Sequence, residues 1–306
     1  MNKTTVTFLL AAVIGNSIGV AAQTDRFANV AIGATEVAPE VYMLDGAGGN
    51  IGVSMGRDGI LIIDDQFAPL AERIADTLAR LEIRDVETRE VEVRDDSHAV
   101  NVKYVINTHY HGDHTGGNGY FGERGATIVA HQNVRVRLLG VDDQPEAALP
   151  VITHHDGVNI YFNDEQLKVI ALSGHTDGDS AVLFKHANVL HAGDLFFNGR
   201  FPYIDLDGGG GVEDYIASQQ TMLGLINDET VVIPGHGPLA SRADLQSMNR
   251  MIVNTYSAVK RAVAGGAALD DVLTAGVDPI YAPMAWAFIS ERRWLETLYR
   301  AAVMDP

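Results

Sequence analysis

The chain has no cysteine among its 306 residues. Disulfide bonds, thiolate metal ligands and cysteine nucleophiles are therefore excluded, and we expect any metal site to use histidine, aspartate or glutamate. Proline is also scarce, at 10 residues, whereas 46% of the chain is hydrophobic. This balance is typical of a folded protein with a core of good size and not of a disordered chain.

Positive charge is in short supply as well. The 22 lysine and arginine residues face 40 aspartate and glutamate residues, which gives a net charge of −18 at pH 7. A surface that follows nucleic-acid phosphates needs the opposite sign, so we expect no nucleic-acid partner and no adhesion to an anionic membrane. A metal ion can still bind, because a site's own charge matters more there than the net charge of the protein.

Long apolar runs are missing after the N-terminus. The first 22 residues contain Lys3 and then the apolar stretch from Val6 to Val20, followed by small residues before Gln23. This pattern predicts a secretory signal peptide over residues 1–22, with a periplasmic or secreted product. The alternative is an uncleaved membrane anchor, which the glycine and polar residues within the stretch disfavour. We expect residues 23–306 to form a single domain with a C-terminal helical segment and no membrane contact after cleavage.

Strand-like and helix-like segments alternate in two blocks along the rest of the chain. Helical spacing of apolar residues predicts four main helices: Ala68–Leu81, Glu213–Leu225, Ala243–Ala264 and Pro283–Met304. Short apolar runs between them predict strands such as Gly59–Asp64, Val102–Asn107 and Thr127–Ala130. This order predicts an α/β fold, an αββα sandwich of two β-sheets packed face to face with helices outside.

Four potential metal ligands lie within six residues, directly after the predicted strand Val102–Asn107. His109 and His111 point the same way if the chain is still extended there, and Asp113 and His114 follow where it turns. The spacing can therefore present two pairs of ligands to two neighbouring points. Imidazole and carboxylate groups suit zinc. A polar loop with solvated histidines is the alternative, which four ligand-type residues at this spacing disfavour.

The segment Thr108–Gly117 resembles the HxHxDH signature of the metallo-β-lactamase superfamily. Further segments resemble other motifs of that family in the same order: Gly59–Asp65, Ser173–Thr176, Ala192–Asp194 and Ile233–Gly237. The resemblance covers about residues 40 to 240. It implies the αββα sandwich, here with two mixed sheets, and a hydrolase that acts on a small-molecule substrate.

The resemblance also implies a site for two zinc ions per chain. Its seven ligands would be His109, His111 and His175 for one ion, Asp113, His114 and His236 for the other, and Asp194 as a bridge. A hydroxide between the ions would attack a carbonyl group, and Asp113 would orient it, which makes Asp113 the expected catalytic residue. No protein nucleophile is needed, in agreement with the absence of cysteine and of a Gly-x-Ser-x-Gly elbow.

Residues near Asp194 are candidates for the pocket. Arg200 is the nearest cation and is the expected contact for a substrate carboxylate. Four aromatic residues either border the pocket or belong to the core: Phe196, Phe197, Phe201 and Tyr203. Six further histidines are interpreted as structural or solvated: His98, His131, His154, His155, His186 and His191. Of these, His191 is close enough to Asp194 to support the metal site, and the His154-His155 pair is expected in a surface loop.

Three substrate classes compete. A β-lactamase-like cyclic amide hydrolase is our first hypothesis, because export suits it and the glycine-rich segment Gly46–Asn50 could form a mobile flap. Asp194 argues against it, since the metallo-β-lactamases proper usually have another residue there. A thioesterase or lactonase similar to glyoxalase II fits Asp194 better. The segment Ile289–Arg293 resembles an exported branch associated with quinoprotein and sulfur metabolism. A metal-binding protein without activity is the last alternative.

Overall fold

The computed structural model describes residues 26–88 and 100–304. The predicted signal peptide and His98 lie outside the described residues, so the boundary at residue 22 stays a prediction. Within the described ranges, no helix combines the length and the hydrophobicity that crossing a membrane requires.

The first sheet has seven strands, and each strand pairs with the next along the chain. The first four strands run antiparallel and the last four run parallel, so the sheet is mixed. The strands are β1 (Gly33–Ala38), β2 (Val41–Asp45), β3 (Ile51–Gly56), β4 (Gly59–Ile63), β5 (Val102–Ile106), β6 (Thr127–His131) and β7 (Ile152–His154).

The second sheet has six strands and is also mixed, because β11 and β12 pair in parallel whereas the other neighbours are antiparallel. The strands are β8 (Gly157–Phe162), β9 (Glu165–Leu172), β10 (Asp179–Phe184), β11 (Val189–His191), β12 (Val231–Ile233) and β13 (Ala240–Ser241). Strands β9, β11 and β12 run in the same direction, so their carboxyl ends meet at one edge.

The α-helices of the described ranges are α1 (Ala71–Thr88), α2 (Gly112–Thr115), α3 (Asn118–Gly122), α4 (Gln132–Leu139), α5 (Val212–Leu225), α6 (Arg242–Ala264), α7 (Leu269–Ala275) and α8 (Glu291–Met304). Helix α1 packs on the first sheet through Ile74 and Leu78. Helices α5, α6 and α8 pack on the second sheet, for example through Met222, Met248 and Leu298.

Alternating side chains of each strand divide the core into layers. In β4, Ile60 and Ile62 face α1, whereas Leu61 and Ile63 face the second sheet. This is the period of two that an extended strand buried on both faces requires. The layers are thus helix, sheet, sheet and helix, which confirms the predicted αββα sandwich of two mixed sheets.

Several element bounds differ from the predictions. Helix α1 begins at Ala71, after a 3-10 turn over Ala68–Leu70, and continues past the predicted end at Leu81. Strands β1 and β7 were not predicted, because β1 is largely exposed and β7 has only three residues. The predicted helix Pro283–Met304 begins only at Glu291. The preceding segment makes tertiary contacts, because the Met284 carbonyl accepts from the Phe201 amide and Trp286 Nε1 donates to the carbonyl of Phe201.

Helix α6 begins with a capping box. The Ser241 hydroxyl accepts a hydrogen bond from the Asp244 amide, and the Asp244 carboxylate accepts one from the Ser241 amide. Both interactions satisfy amide groups that the first helical turn leaves without a partner. The cap therefore fixes where the longest described helix starts against the second sheet.

We expect Ser241→Ala to lower the free energy of unfolding by about 1 kcal/mol, because an alanine cannot accept the amide hydrogen bond. Urea denaturation followed by circular dichroism measures the change. The matched control is Ser247→Ala in the exposed part of the same helix, where the hydroxyl donates to the carbonyl of Ala243 and accepts from Arg250 but caps no helix end. A change of less than about 0.5 kcal/mol is expected there. Equal losses in the two variants would contradict the role of the cap.

Candidate metal centre

Loops at the carboxyl ends of four strands bring the candidate ligands together. Strands β5, β9, β11 and β12 end shortly before His109, His175, Asp194 and His236, respectively. Because each loop leaves its sheet at the same edge, residues that are far apart in the sequence become neighbours. The seven residues predicted as ligands all lie at this edge, in two groups.

The first group consists of His109, His111, His175 and Asp194, whose ligand atoms lie within 4.8 Å of one another. The Nδ1 atom of His111 lies 3.0 Å from Nε2 of His109 and 2.9 Å from Nε2 of His175. His109 and His175 are fully buried, whereas His111 is partly exposed. Three ring nitrogens therefore converge on one point from three directions.

The second group consists of Asp113, His114 and His236. The Oδ2 atom of Asp113 lies 3.4 Å from Nε2 of His236 and 3.8 Å from Nε2 of His114. Asp113 and His114 occupy the short helix α2, which starts directly after His111. This turn separates the second pair of ligands of the motif from the first pair and turns it towards His236.

Asp194 lies between the two groups. Its Oδ1 atom is 3.2 Å from Nε2 of His114, and its Oδ2 atom is 3.4 Å from Nε2 of His175 and 3.3 Å from Nε2 of His236. Its side chain is only 5% exposed. This is the position that a carboxylate shared by two metal ions has to occupy.

The donor set fits a metal. The buried atoms His114 Nε2 and Asp194 Oδ1 have no hydrogen-bond partner in the described residues. Buried polar atoms without a partner are costly, and an ion among them would supply the missing interaction. Nitrogen and oxygen donors without thiolates match the preferences of zinc. The residues present could therefore hold metal ions at both groups.

A family model described as the metallo-beta-lactamase superfamily matches residues 77–236, which is slightly more than half of the chain. The chain belongs to this superfamily. The match begins in α1 and ends at the last candidate ligand, His236. It includes all seven candidate ligands, although their roles as ligands remain predictions for this protein.

Curated relatives match over part of their length. The hydroxyacylglutathione hydrolase of Erythrobacter litoralis is 37% identical over 97 residues, which are 31% of this chain and 35% of that protein. The enzyme of the same name from Polaromonas is 32% identical over 139 residues, or 44% and 48% of the two chains. A beta-lactamase-like protein 2 homolog of Caenorhabditis elegans is 27% identical over 46% of this chain and 44% of its own. The chain thus spans between a third and a half of the length of these relatives.

Solved structures share the fold at low sequence identity. A metallo-beta-lactamase from Pontibacter korlensis superposes with a TM-score of 0.58 at 17% identity, over 73% of this chain and 99% of its own. A stereoselective inverting sec-alkylsulfatase from Pseudomonas gives a TM-score of 0.64 at 15% identity, over 88% and 50% of the two chains. These similarities show the metallo-β-lactamase fold.

In this protein, Asp64 holds the Nδ1 atom of His114, the ring nitrogen that faces away from the candidate metal site. The Nδ1 atom of His114 lies 2.7 Å from Oδ2 of Asp64. The same oxygen accepts a hydrogen bond from the Thr108 hydroxyl, and Oδ1 accepts one from the Thr108 amide. Asp64 has a φ of 63°, a left-handed conformation that is rare outside glycine. Its hydrogen bonds hold this conformation, so Asp64 orients His114 from behind. The early acidic segment was noted in the sequence only as a family motif.

A second carboxylate, Asp205, plays the same part for His111. It accepts hydrogen bonds from His111 Nε2 at 3.0 Å and from the Tyr110 hydroxyl at 2.6 Å. Burial opposes ionisation of Asp205, but the hydrogen bonds from Tyr110 and His111 lower its pKa to about 2. Asp205 is therefore ionised and turns Nδ1 of His111 towards the first group. Sequence analysis missed this residue, whose only signal is an acidic position before four consecutive glycines.

Two of the buried histidines and Asp194 have protonation states that suit metal binding. Burial lowers the pKa of His175 to about 4 and lowers that of His109 well below its usual value, so both rings are neutral at pH 7. Burial opposes ionisation of Asp194, but His236, His114 and His175 hold its pKa well below the usual range. Neutral imidazole and ionised carboxylate are the forms that coordinate metals.

His114 differs from these two histidines. Burial opposes its protonation, but the carboxylates of Asp194, Asp64 and Asp113 raise its pKa well above the usual value. A metal would therefore have to displace its proton.

A cleft of about 500 Å³ opens beside the second group. Gly46, Gly48 and Asn50 line one part of it, and Arg200 and His236 line another. Arg200, the predicted substrate contact, therefore shares a cleft with a candidate ligand.

The glycine-rich segment is tied down, which differs from the mobile flap suggested by its sequence. The amide of Gly49 donates to the carbonyl of Asp113, and the amide of Asn50 donates to that of Gly235. Any side chain at Gly49 would collide with the ring of His114. The glycines are thus required by close packing, and the segment forms a fixed wall of the cleft.

The remaining histidines and aromatic residues are mostly structural. His191 is buried, accepts a hydrogen bond from the Gly193 amide and contacts the carbonyl of Asn50, so it supports the turn before Asp194. The expectation of a surface loop at His154-His155 was wrong for His154, which is buried on β7. His131 is also buried, and His186 is exposed. Phe196, Phe197 and Phe201 belong to the core, whereas Tyr203 lies beside His111 and His175.

We expect Asp205→Asn to weaken zinc affinity about 10- to 100-fold, because His111 loses the carboxylate that orients it. Competition with a chromophoric chelator at fixed pH measures the affinity. The control is Asp207→Asn in the same loop, which removes the same charge from an exposed ion pair with Arg300. Equal losses in both variants would show a general charge effect and contradict the orienting role of Asp205.

Proposed function

We propose that this protein is a two-zinc hydrolase that cleaves carboxylic acid derivatives at the carbonyl group, with acyl thioesters as its first candidate substrates. Membership of the superfamily and the candidate metal groups support a metal-dependent hydrolase. The observation that carries the two-metal proposal is the buried Asp194 carboxylate, which lies within 3.4 Å of ring nitrogens from both groups.

In this proposal the seven candidate ligands form two metal-binding sets. His109, His111 and His175 would hold one ion, and Asp113, His114 and His236 would hold the other, with Asp194 within reach of both. Bound zinc lowers the pKa of water to about 7 and polarises carbonyl oxygens.

Asp113 has a part of its own beside this binding role. It is 25% exposed, so solvent and substrate can reach it, unlike the buried Asp194. It is placed to orient the attacking water and to accept its proton.

Three observations support an acyl thioester. Asp194 stands where the metallo-β-lactamases proper usually have another residue. Curated relatives with 30 to 37% identity are named hydroxyacylglutathione hydrolases. Arg200 lines the cleft beside His236 and supplies a cation for an anionic thiol or acyl group. A lactone, whose carbonyl has similar reactivity, belongs to the same hypothesis.

A β-lactamase-like cyclic amide hydrolase is the second candidate. The fixed glycine-rich wall, Gly46–Asn50, and Arg200 enclose a cleft in which the carboxylate of a β-lactam could be bound. Structural similarity to metallo-β-lactamases agrees with this hypothesis but is limited to the fold.

The proposal includes export to the periplasm or the medium. It rests on the sequence of residues 1–22, in which one lysine precedes a long apolar stretch and small residues. The mature protein would then start at Gln23. Mass spectrometry of protein recovered from the periplasm checks this, and an intact N-terminus in that fraction would contradict cleavage.

We expect zinc-loaded protein to hydrolyse an S-acylglutathione faster than a lactone or a cephalosporin, and dialysis against EDTA to abolish the activity. Asp113→Asn should lower kcat by about 10²- to 10⁴-fold, with a smaller change in KM, because its carboxylate serves proton transfer in the transition state. The control is Asp142→Asn, which removes an exposed carboxylate outside the site. Preferred turnover of the cephalosporin would select the second candidate. No turnover of any substrate by protein with both metals bound would contradict the enzyme and favour a metal-binding protein.

A further inference from the structure

The segment before the last helix returns to the metal centre. Residues 281–290 follow the part of the chain that matches the family model and precede α8. Trp286 anchors this segment, because its Nε1 donates a 2.9 Å hydrogen bond to the carbonyl of Phe201. Its ring centroid lies 6.3 Å from that of the candidate ligand His236.

A row of aromatic rings continues from Trp286 to the other group of ligands. The ring of Phe288 lies 5.6 Å from Trp286 and 5.5 Å from Tyr203. The ring of Tyr203 in turn lies 5.8 Å from both His111 and His175. We call Tyr203, Phe288 and Trp286 the aromatic wall, since together they run from a ligand of the second group to ligands of the first.

Trp286 is partly buried against the core of the second sheet, whereas Phe288 stays open to solvent. Its side chain is 48% exposed although it stands between two other rings. A lone exposed phenylalanine is ordinary, whereas a ring in a continuous row beside a metal centre offers apolar area that a ligand can cover.

Two arginines flank the aromatic wall in a strongly acidic protein. The guanidinium carbon of Arg200 lies 4.9 Å from the ring centroid of Trp286. That of Arg293 lies 4.4 Å from Phe288 and 5.3 Å from Tyr203, and Arg293 also donates to the carbonyl of Phe288. The wall thus combines apolar rings with a positive charge at each end, which is the chemistry that binds an apolar group bearing an anion.

We propose that the aromatic wall binds the acyl side chain of the substrate, and that Phe288 and Trp286 make the protein selective for aryl or long alkyl acyl groups with a nearby carboxylate. This proposal rests on the proposed hydrolytic function. It adds the part of the substrate that is not cleaved, and it assigns that part to Tyr203 and to two residues beyond the segment that the family model matches, Trp286 and Phe288.

Fluorescence tests the proposal without catalysis, because the chain has only two tryptophans. Trp294 is 0% exposed and stacks on Phe201, so a ligand bound on the aromatic wall reports through Trp286. Zinc-loaded protein is titrated with 4-phenylbutyrate and with butyrate. We expect saturable quenching, with 4-phenylbutyrate binding about 10-fold more tightly, because a ring of this size buries a large apolar area. Trp286→Phe should remove the signal.

Phe288→Ala should reduce the difference between the two acids to about threefold or less, because it removes the most exposed ring of the wall. The matched control is Tyr161→Ala, which removes an aromatic side chain that is 74% exposed on β8, and it should keep the full difference. Zinc content is measured for each variant. Equal affinities of the two acids for the wild-type protein, or an unchanged difference in Phe288→Ala, would overturn the proposal.

Activity separates this proposal from the proposed function. If thioesters are hydrolysed, the kcat/KM ratio of a phenylacyl to an acetyl thioester should fall about threefold or more in Phe288→Ala. Selective binding of 4-phenylbutyrate without turnover of any substrate would contradict the hydrolase but support the wall. Turnover with equal affinity for both acids would support the hydrolase and overturn the wall.

Discussion

The carboxylate of Asp194 is the constraint around which the site is arranged. It is nearly fully buried, and ring nitrogens of His114, His175 and His236 lie within 3.4 Å of its oxygens. An ionised carboxylate is costly to bury unless positive or hydrogen-bonding groups surround it. The chain around it has to be small, because a side chain at Gly235 would come within 2.1 Å of Asp194 Oδ1. The loops at the strand ends of both sheets therefore meet at the carboxylate of Asp194.

Carboxylates behind the histidines extend this arrangement outward. Asp64 holds His114, and Asp205 holds His111, so each ring presents its other nitrogen to the centre. A carboxylate that binds the second ring nitrogen of a histidine fixes the orientation of the ring and its tautomer, both of which would otherwise vary. The left-handed backbone of Asp64 shows that the fold tolerates local strain to keep this geometry. The two sheets supply the rigid frame in which that strain can persist.

Local spacing in the sequence predicts the layers of the sandwich and the four candidate ligands between His109 and His114, whereas the full set of seven candidate ligands is implied only by the resemblance to the superfamily. Buried strands such as β4 carry continuous apolar runs, and the segment from His109 to His114 contains four potential metal ligands within six residues. Asp205 could not be found in this way, since its partner His111 is 94 residues away and no spacing rule joins them. The contact of Trp286 with Phe201 could not be predicted for a similar reason. Apolar residues after Pro283 have helical spacing, but the segment before Glu291 is not helical and makes contacts with residues distant in the sequence. For Phe196 and Phe201, the sequence alone leaves open whether they border the pocket or belong to the core, and only the packing decides it.

The central inference is that Asp194 is shared by two metal ions. Anomalous diffraction at the zinc absorption edge, from crystals grown with zinc, tests it most directly. We expect two peaks on either side of the Asp194 carboxylate, one against His109, His111 and His175, and one against Asp113, His114 and His236. A single peak, or a pair that leaves Asp194 uncoordinated, would contradict the account.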